Sequence, residues 1–263
     1  MKGNYFKILL ALSLLLIPSF VWADTISDYK DGSTTYWGGT VVKGTSTSYS
    51  PYSSTYFGDV IGTPYFDIEK MDITKSGKNW TVTITGDYFK NHDDINIDGG
   101  YPYKLGPGDL YISSTGWSAT QGPAGHYETD TFTAAEGWDF VVTNPTGADW
   151  GLYSFDINSS SFQDTNVNGL SGNFYYRNDQ AWKGGGVDRI GTATYEHVTG
   201  TRIATFKFNT GDLDFFGDVG FHWTMQCGND VIEGEVQVPE PATMLLLGLG
   251  LVGLAVVGRK LKA

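Results

Sequence analysis

Residues 79–85 read NWTVTIT, and this stretch decides the fold class. In an extended chain Trp80, Val82 and Ile84 fall on one face and Thr81, Thr83 and Thr85 on the other, the two-residue period of a half-buried strand. Working outward, strand signals recur at 108–113 (GDLYIS), 138–143 (WDFVVT), 151–157 (GLYSFDI), 202–209 (RIATFKFN) and 220–226 (GFHWTMQ). Clusters of Gly, Asn, Asp and Pro separate them. No window between Asp24 and Pro239 has a 3.6-residue apolar period. Many short strands with turn chemistry between them must each bury one face. The expected fold is therefore all-β, an antiparallel β-sandwich or jelly-roll-like ectodomain over residues 58–237.

The flanking segments have different chemistry. Residues 31–57 are rich in Ser, Thr, Tyr and Gly with few aliphatic side chains, so 24–57 reads as an extended entry segment with one strand at Tyr36–Val42. Residues 1–23 read as a cleavable signal peptide: Lys2 and Lys7, an apolar run from Ile8 to Ile17, and Val21-Trp22-Ala23 before a cut ahead of Asp24. At the other end, Ala242–Gly258 carries no charge and is followed by Arg259, Lys260 and Lys262. As a helix that run measures about 26 Å, close to one bilayer span. The basic stub stays inside, so the body faces outward.

The stretch VPEPATMLLLGLGLVGLAVVGRK, residues 238–260, resembles the PEP-CTERM sorting tail of Gram-negative bacteria. It has the tripeptide Pro239-Glu240-Pro241, an apolar helix rich in small residues, and a basic end led by Arg259. The resemblance implies a sorting tail over 238–263 that is recognised and removed near the tripeptide by exosortase, a membrane cysteine transpeptidase. It also implies export through the Sec machinery and signal peptidase, transient anchoring in the inner membrane, and delivery to a cell surface or an exopolysaccharide-rich biofilm matrix. GDVIGTPYFDIEKMDIT, GDLYISSTGW and FHWTMQCGNDVIEGE resemble ectodomains of other proteins with this tail, a likeness that carries no activity with it.

Composition narrows the partners. All 29 acidic residues lie between Asp24 and Glu240 and five of the 17 basic ones lie in the end segments, so the exported part carries a net charge near −17. Such a surface repels nucleic acid and anionic membrane and suits divalent cations or plain solvation. Cys227 is the only cysteine, which excludes an intramolecular disulfide; its alternation with Val219, Phe221, Trp223 and Met225 reads as a buried core thiol. His92, His126, His197 and His222 are scattered, and there is no HExxH helix, GxSxG elbow or phosphate-binding glycine loop. His222 falls on the polar face of its strand and is expected to be exposed.

Two segments, DINIDG and DTNVNG, place Asp94, Asn96 and Asp98, and Asp164, Asn166 and Asn168, at positions 1, 3 and 5 before a glycine. Oxygens at that spacing can converge on Ca²⁺. Position 12 departs from the calcium loop, being Leu105 and Tyr175, and the segments read also as Asn/Asp-rich turns. Trp80 and Trp223 read as core. Trp117, Trp138, Trp150 and Trp182 sit beside glycine or polar residues and read either as packing or as platforms for sugar rings. The expected function is that of a non-catalytic, exosortase-sorted surface or matrix protein needing no cofactor. A carbohydrate-binding module acting on the producer's own polysaccharide is the first alternative and a secreted hydrolase the second.

Overall fold

The computed structural model describes residues 21–27, 35–36, 39–40, 68–91, 106–117, 132–145, 147, 149–164, 180–226, 231–240, 248, 250 and 253. Its strands are β1 (Val21–Ser27), β2 (Thr35–Tyr36), β3 (Gly39–Thr40), β4 (Ile68–Ser76), β5 (Asn79–Gly86), β6 (Leu110–Ser113) and β7 (Phe140–Thr143). They continue with β8 (Gly151–Phe155), β9 (Gln163–Asp164), β10 (Ala181–Lys183), β11 (Gly186–His197), β12 (Ile203–Asn209), β13 (Gly217–Thr224) and β14 (Val231–Val238). One short helix, α1 (Asp87–Asn91), follows β5.

Ten strands form one sheet in the order β1-β4-β5-β12-β11-β8-β7-β6-β13-β14, with antiparallel neighbours throughout. The sheet curls until its edge strands meet: Ile26 of β1 sits over Gly234 of β14, where a Cβ would fall 2.8 Å from the isoleucine. The all-β expectation holds, but the sandwich of two separate sheets gives way to a single barrel-like sheet. The reason is β11. Its first half pairs with β8, its last five residues pair with β12, and its register shifts at Arg189 let one strand turn the corner between what would be two sheets. Strand periodicity alone does not report such continuity.

NWTVTIT behaves as its alternation requires: Trp80, Val82 and Ile84 are buried inside the barrel and the threonines are half-buried on its outside. The Trp80 ring stacks on Phe208 at 6.0 Å and meets Phe215 and Phe221. Burying each such aromatic contributes about 2–3 kcal/mol. Both mouths of the barrel are plugged. Tyr88 and Phe89 of α1 pack on Trp223 at one end. Phe215, on the connector between β12 and β13, packs on Trp80 and Phe140 at the other.

A second cluster lies on the outside of the sheet, where Tyr111, Phe132, Trp138, Val141 and Ala181 are buried and Trp117, Tyr153, Phe155 and Phe162 pack against them. Connectors flanking β7 and β10 cover β6, β7 and β13 there. One expectation changes as a result. His222 is fully buried rather than exposed. The entry segment begins as strand β1, which runs through the expected cleavage position and buries Ile26. The β2–β3 hairpin falls at the strand expected near Tyr36–Val42. Residues 1–20, Cys227 and nearly all of the expected tail helix lie outside the described residues, among which no helix is long and apolar enough to cross a membrane.

Candidate functional site

The titratable groups concentrate on the covered outer face. In β13 Phe221 and Trp223 point into the barrel, which sends His222 outward, and its cross-strand partner in β14 is Glu233. His222 Nδ1 meets Glu233 Oε1, and Nε2 lies 2.8 Å from the Ala181 carbonyl. A carbonyl only accepts, so Nε2 carries hydrogen, and Nδ1 faces the Glu233 carboxyl. Phe132, Tyr111 and Trp138 surround the imidazole at ring separations of 4.9, 5.7 and 5.7 Å.

The third member comes from a 3₁₀ turn, Ala134–Glu136, that ends at Gly137 in the left-handed conformation. Glu136 is buried, and its Oε2 accepts hydrogen bonds from the Trp138 indole (3.0 Å) and the Thr133 amide (2.7 Å). None of the described residues reaches its Oε1 with a hydrogen bond. Burial, reinforced by the nearby charge of Glu233, raises its carboxyl from an ordinary value of 4.5 to about 7, although the two donated bonds and His222 favour ionisation. No member of the cluster presents a nucleophile to solvent.

A second buried carboxylate fastens β10. Asp109, just before β6, takes Lys183 Nζ at 2.9 Å and the Gly184 amide at 2.6 Å, and Thr143 Oγ1 also donates to it. Its own amide donates to the Trp182 carbonyl. Burial raises its pKa, while Lys183 and the hydrogen bonds pull it back. Tyr111, which donates to the Gly184 carbonyl, is pushed well above its usual value by burial and then by Asp109. Gly184 has φ of +80°, and a Cβ there would fall 1.8 Å from the Ser161 carbonyl, so only glycine permits this docking.

The candidate sugar platforms are dispersed. Trp138 is buried with its ring stacked on Phe132 at 5.5 Å. Trp150 is half-buried, stacks on Tyr195 at 5.1 Å and receives the Lys183 ammonium 5.2 Å from its ring. Trp117 is half-buried against the outer cluster, and its amide donates to Glu235. Trp182 is half-buried beside Gly106. Of the calcium-loop residues only Asp164 is described, in β9 opposite Ala181; Asp94, Asn96, Asp98, Asn166 and Asn168 lie outside the described residues. Among the described residues no three His, Cys, Asp or Glu side chains form a group that could hold a metal ion.

Sequence reasoning missed the Glu136–His222–Glu233 cluster, but one signal for its setting was present. Leu110-Tyr111-Ile112 and Phe140-Val141-Val142 are unbroken apolar runs, which mark strands buried on both faces.

The remaining feature is the exit of the chain. β14 stays in the sheet to Val238, which is buried opposite Gly217, and Pro239 and Glu240 follow at once, half-buried and exposed. The PEP-CTERM protein-sorting motif matches residues 237–260. The chain carries a PEP-CTERM sorting tail. Such a tail implies an exported protein targeted to exosortase, and it begins here within the last two residues of β14. No curated protein and no solved structure matches the chain.

Proposed function

We propose that the protein is a non-catalytic barrel displayed at the cell surface or in the exopolysaccharide matrix of a Gram-negative bacterium, delivered there by signal peptidase and exosortase. The observation that carries this reading is the direct fusion of a barrel-like sheet, covered on part of its outer face, to the sorting motif at residues 237–260. The use of the buried ionisable groups supports it. His222 and Asp109 face connectors of their own chain and fasten them, as a structural protein requires. Replacing Pro239-Glu240-Pro241 by alanines, or deleting residues 242–263, is expected to abolish the processed form and change where the protein accumulates. Processing and location identical to wild type in the tripeptide variant would refute the assignment. The carbohydrate-binding alternative rests on Trp117 and Trp182, which are half-buried on the outer surface. Retention on a polysaccharide column that weakens in Trp117→Ala and Trp182→Ala would support it.

A further inference from the structure

Both expected membrane segments leave the barrel at the same end. β1 starts at Val21, which pairs with Ser76 at the end of β4, and β5 starts at Asn79 after the β4–β5 turn. Asn79 in turn pairs with Asn209 at the end of β12, and Val238 pairs with Gly217 at the start of β13. The start of β1, the end of β14, the 76–79 turn and the connector from Thr210 to Phe216 therefore form one pole. The opposite pole carries α1 and the β11–β12 turn at Val198–Thr201.

The distance from this pole to the apolar runs is bounded by covalent geometry. Four residue steps separate Val238 from Ala242, the first residue of the uncharged run, and four separate Ile17 from Val21. A fully extended chain covers about 3.3–3.6 Å per residue, so each apolar run starts within about 14 Å of a strand end. The polar layer on each side of a bilayer is itself roughly 5–8 Å thick. Little room remains for a gap.

We propose that the pole formed by the 76–79 turn and the 210–216 connector rests on the lipid headgroup layer while the tail is inserted, so that exosortase acts on a tripeptide pinned between barrel and membrane. The proposal builds on the sorting reading and adds an orientation to it. The surface is suited to a polar interface rather than to insertion. Asp212 and Asp214 are exposed, and Lys78 is drawn inward to Asp214 Oδ2 at 2.6 Å and to the Leu213 carbonyl at 2.9 Å. Lys75 lies 4.1 Å from the Phe216 ring centre and is shielded there. Contact is thus imposed by the short tether, and the acidic surface opposes any deeper penetration into an anionic leaflet.

The test uses the chain from Asp24 to Ala263, freed of the expected signal peptide and retaining the tail, reconstituted without exosortase into phosphatidylcholine vesicles that contain a headgroup-attached contact quencher. With Cys227 replaced by serine, a fluorophore is placed at Asn79→Cys or Asp212→Cys on the near pole, or at Val198→Cys on the far one. The strands set the poles about 20 Å apart. Strong quenching at 79 and 212 with little at 198 is expected. Inserting a 20-residue Gly/Ser linker between Val238 and Pro239, with an end-to-end distance of about 25 Å, should remove that contrast. Equal quenching at all three positions in the native-length chain, or a contrast that survives the linker, overturns the proposal. Failure of the chain to float with the vesicles instead overturns the insertion reading on which it rests.

Discussion

Glu136 makes the stability of the barrel depend on pH in a direction opposite to that of an ordinary surface carboxylate. Its carboxyl is buried and raised from 4.5 to about 7, first by burial and then by the charge of Glu233. Between those values the folded protein keeps a proton that the unfolded chain has released. The group's stabilising contribution is therefore complete below pH 4.5 and is lost as pH rises through 7. Each pH unit in the window removes about 1.4 kcal/mol, or about 3 kcal/mol in all. For a domain of this size that corresponds to a fall of roughly 6–12 °C in melting temperature. Other acids also titrate, so the diagnostic is a comparison with Glu136→Gln. The amide oxygen still accepts the Trp138 and Thr133 hydrogen bonds but has no charge to bury. Melting curves of both proteins from pH 4.5 to 8 should nearly coincide at the acid end and diverge by about 3 kcal/mol in favour of glutamine at the alkaline end. Parallel profiles would refute the reasoning, because they would mean that Glu136 ionises freely in the folded state.

Three further predictions follow from close contacts and from the acidic loops. Gly108→Ala would place a Cβ 1.6 Å from the Thr224 carbonyl, a clash with strand backbone, and should destabilise the fold by about 3 kcal/mol or more in chemical denaturation. Lys183→Met should cost about 2 kcal/mol, since it leaves Asp109 buried without its ion-pair partner; Asp109→Asn combined with it should recover part of that loss. Millimolar Ca²⁺ acting at a site of about 10 µM in the Asp94 or Asp164 loop would add about 2.7 kcal/mol, a rise that magnesium does not reproduce. Identical melting temperatures in EDTA and in excess Ca²⁺ would leave both segments as ordinary turns.

The inner face of the barrel was legible because burial on one side writes a two-residue period into the sequence. Trp80, Val82 and Ile84, and Val219, Phe221 and Trp223, lie inside as their alternation requires. The outer face was not legible in the same way. His222 and Glu233 occupy polar positions of two strands, and only the register that sets them opposite each other, with Ala181 and Trp138 brought over them, makes them a buried pair. Glu136 reaches the cluster from a three-residue turn without any periodic pattern. Which connector folds over which strand is a non-local fact, and local patterning does not encode it.

The buried polar groups also answer a mechanical requirement of an exported barrel. Long connectors run between β6 and β7 and between β8 and β11, and a secreted protein commonly staples such segments with disulfides. A single cysteine cannot form an intramolecular bridge. Here the 132–139 connector is held where Asp139 meets the Ile112 carbonyl and Ser114, and β10 is held where Ala181 meets His222 and Gly184 meets Asp109. Each of these contacts carries an ionisable group into a low-dielectric interior, where its strength depends on protonation. Covalent staples would keep the connectors in place at any pH. Polar fastenings keep them in place over a range, and the range narrows toward alkaline conditions because loss of the Glu136 proton leaves a buried carboxylate charge beside Glu233. The covered face should therefore loosen before the barrel interior does, and hydrogen exchange at pH 8 should rise first at Thr133–Trp138 and Ala181–Gly184 while β5 and β12 remain protected.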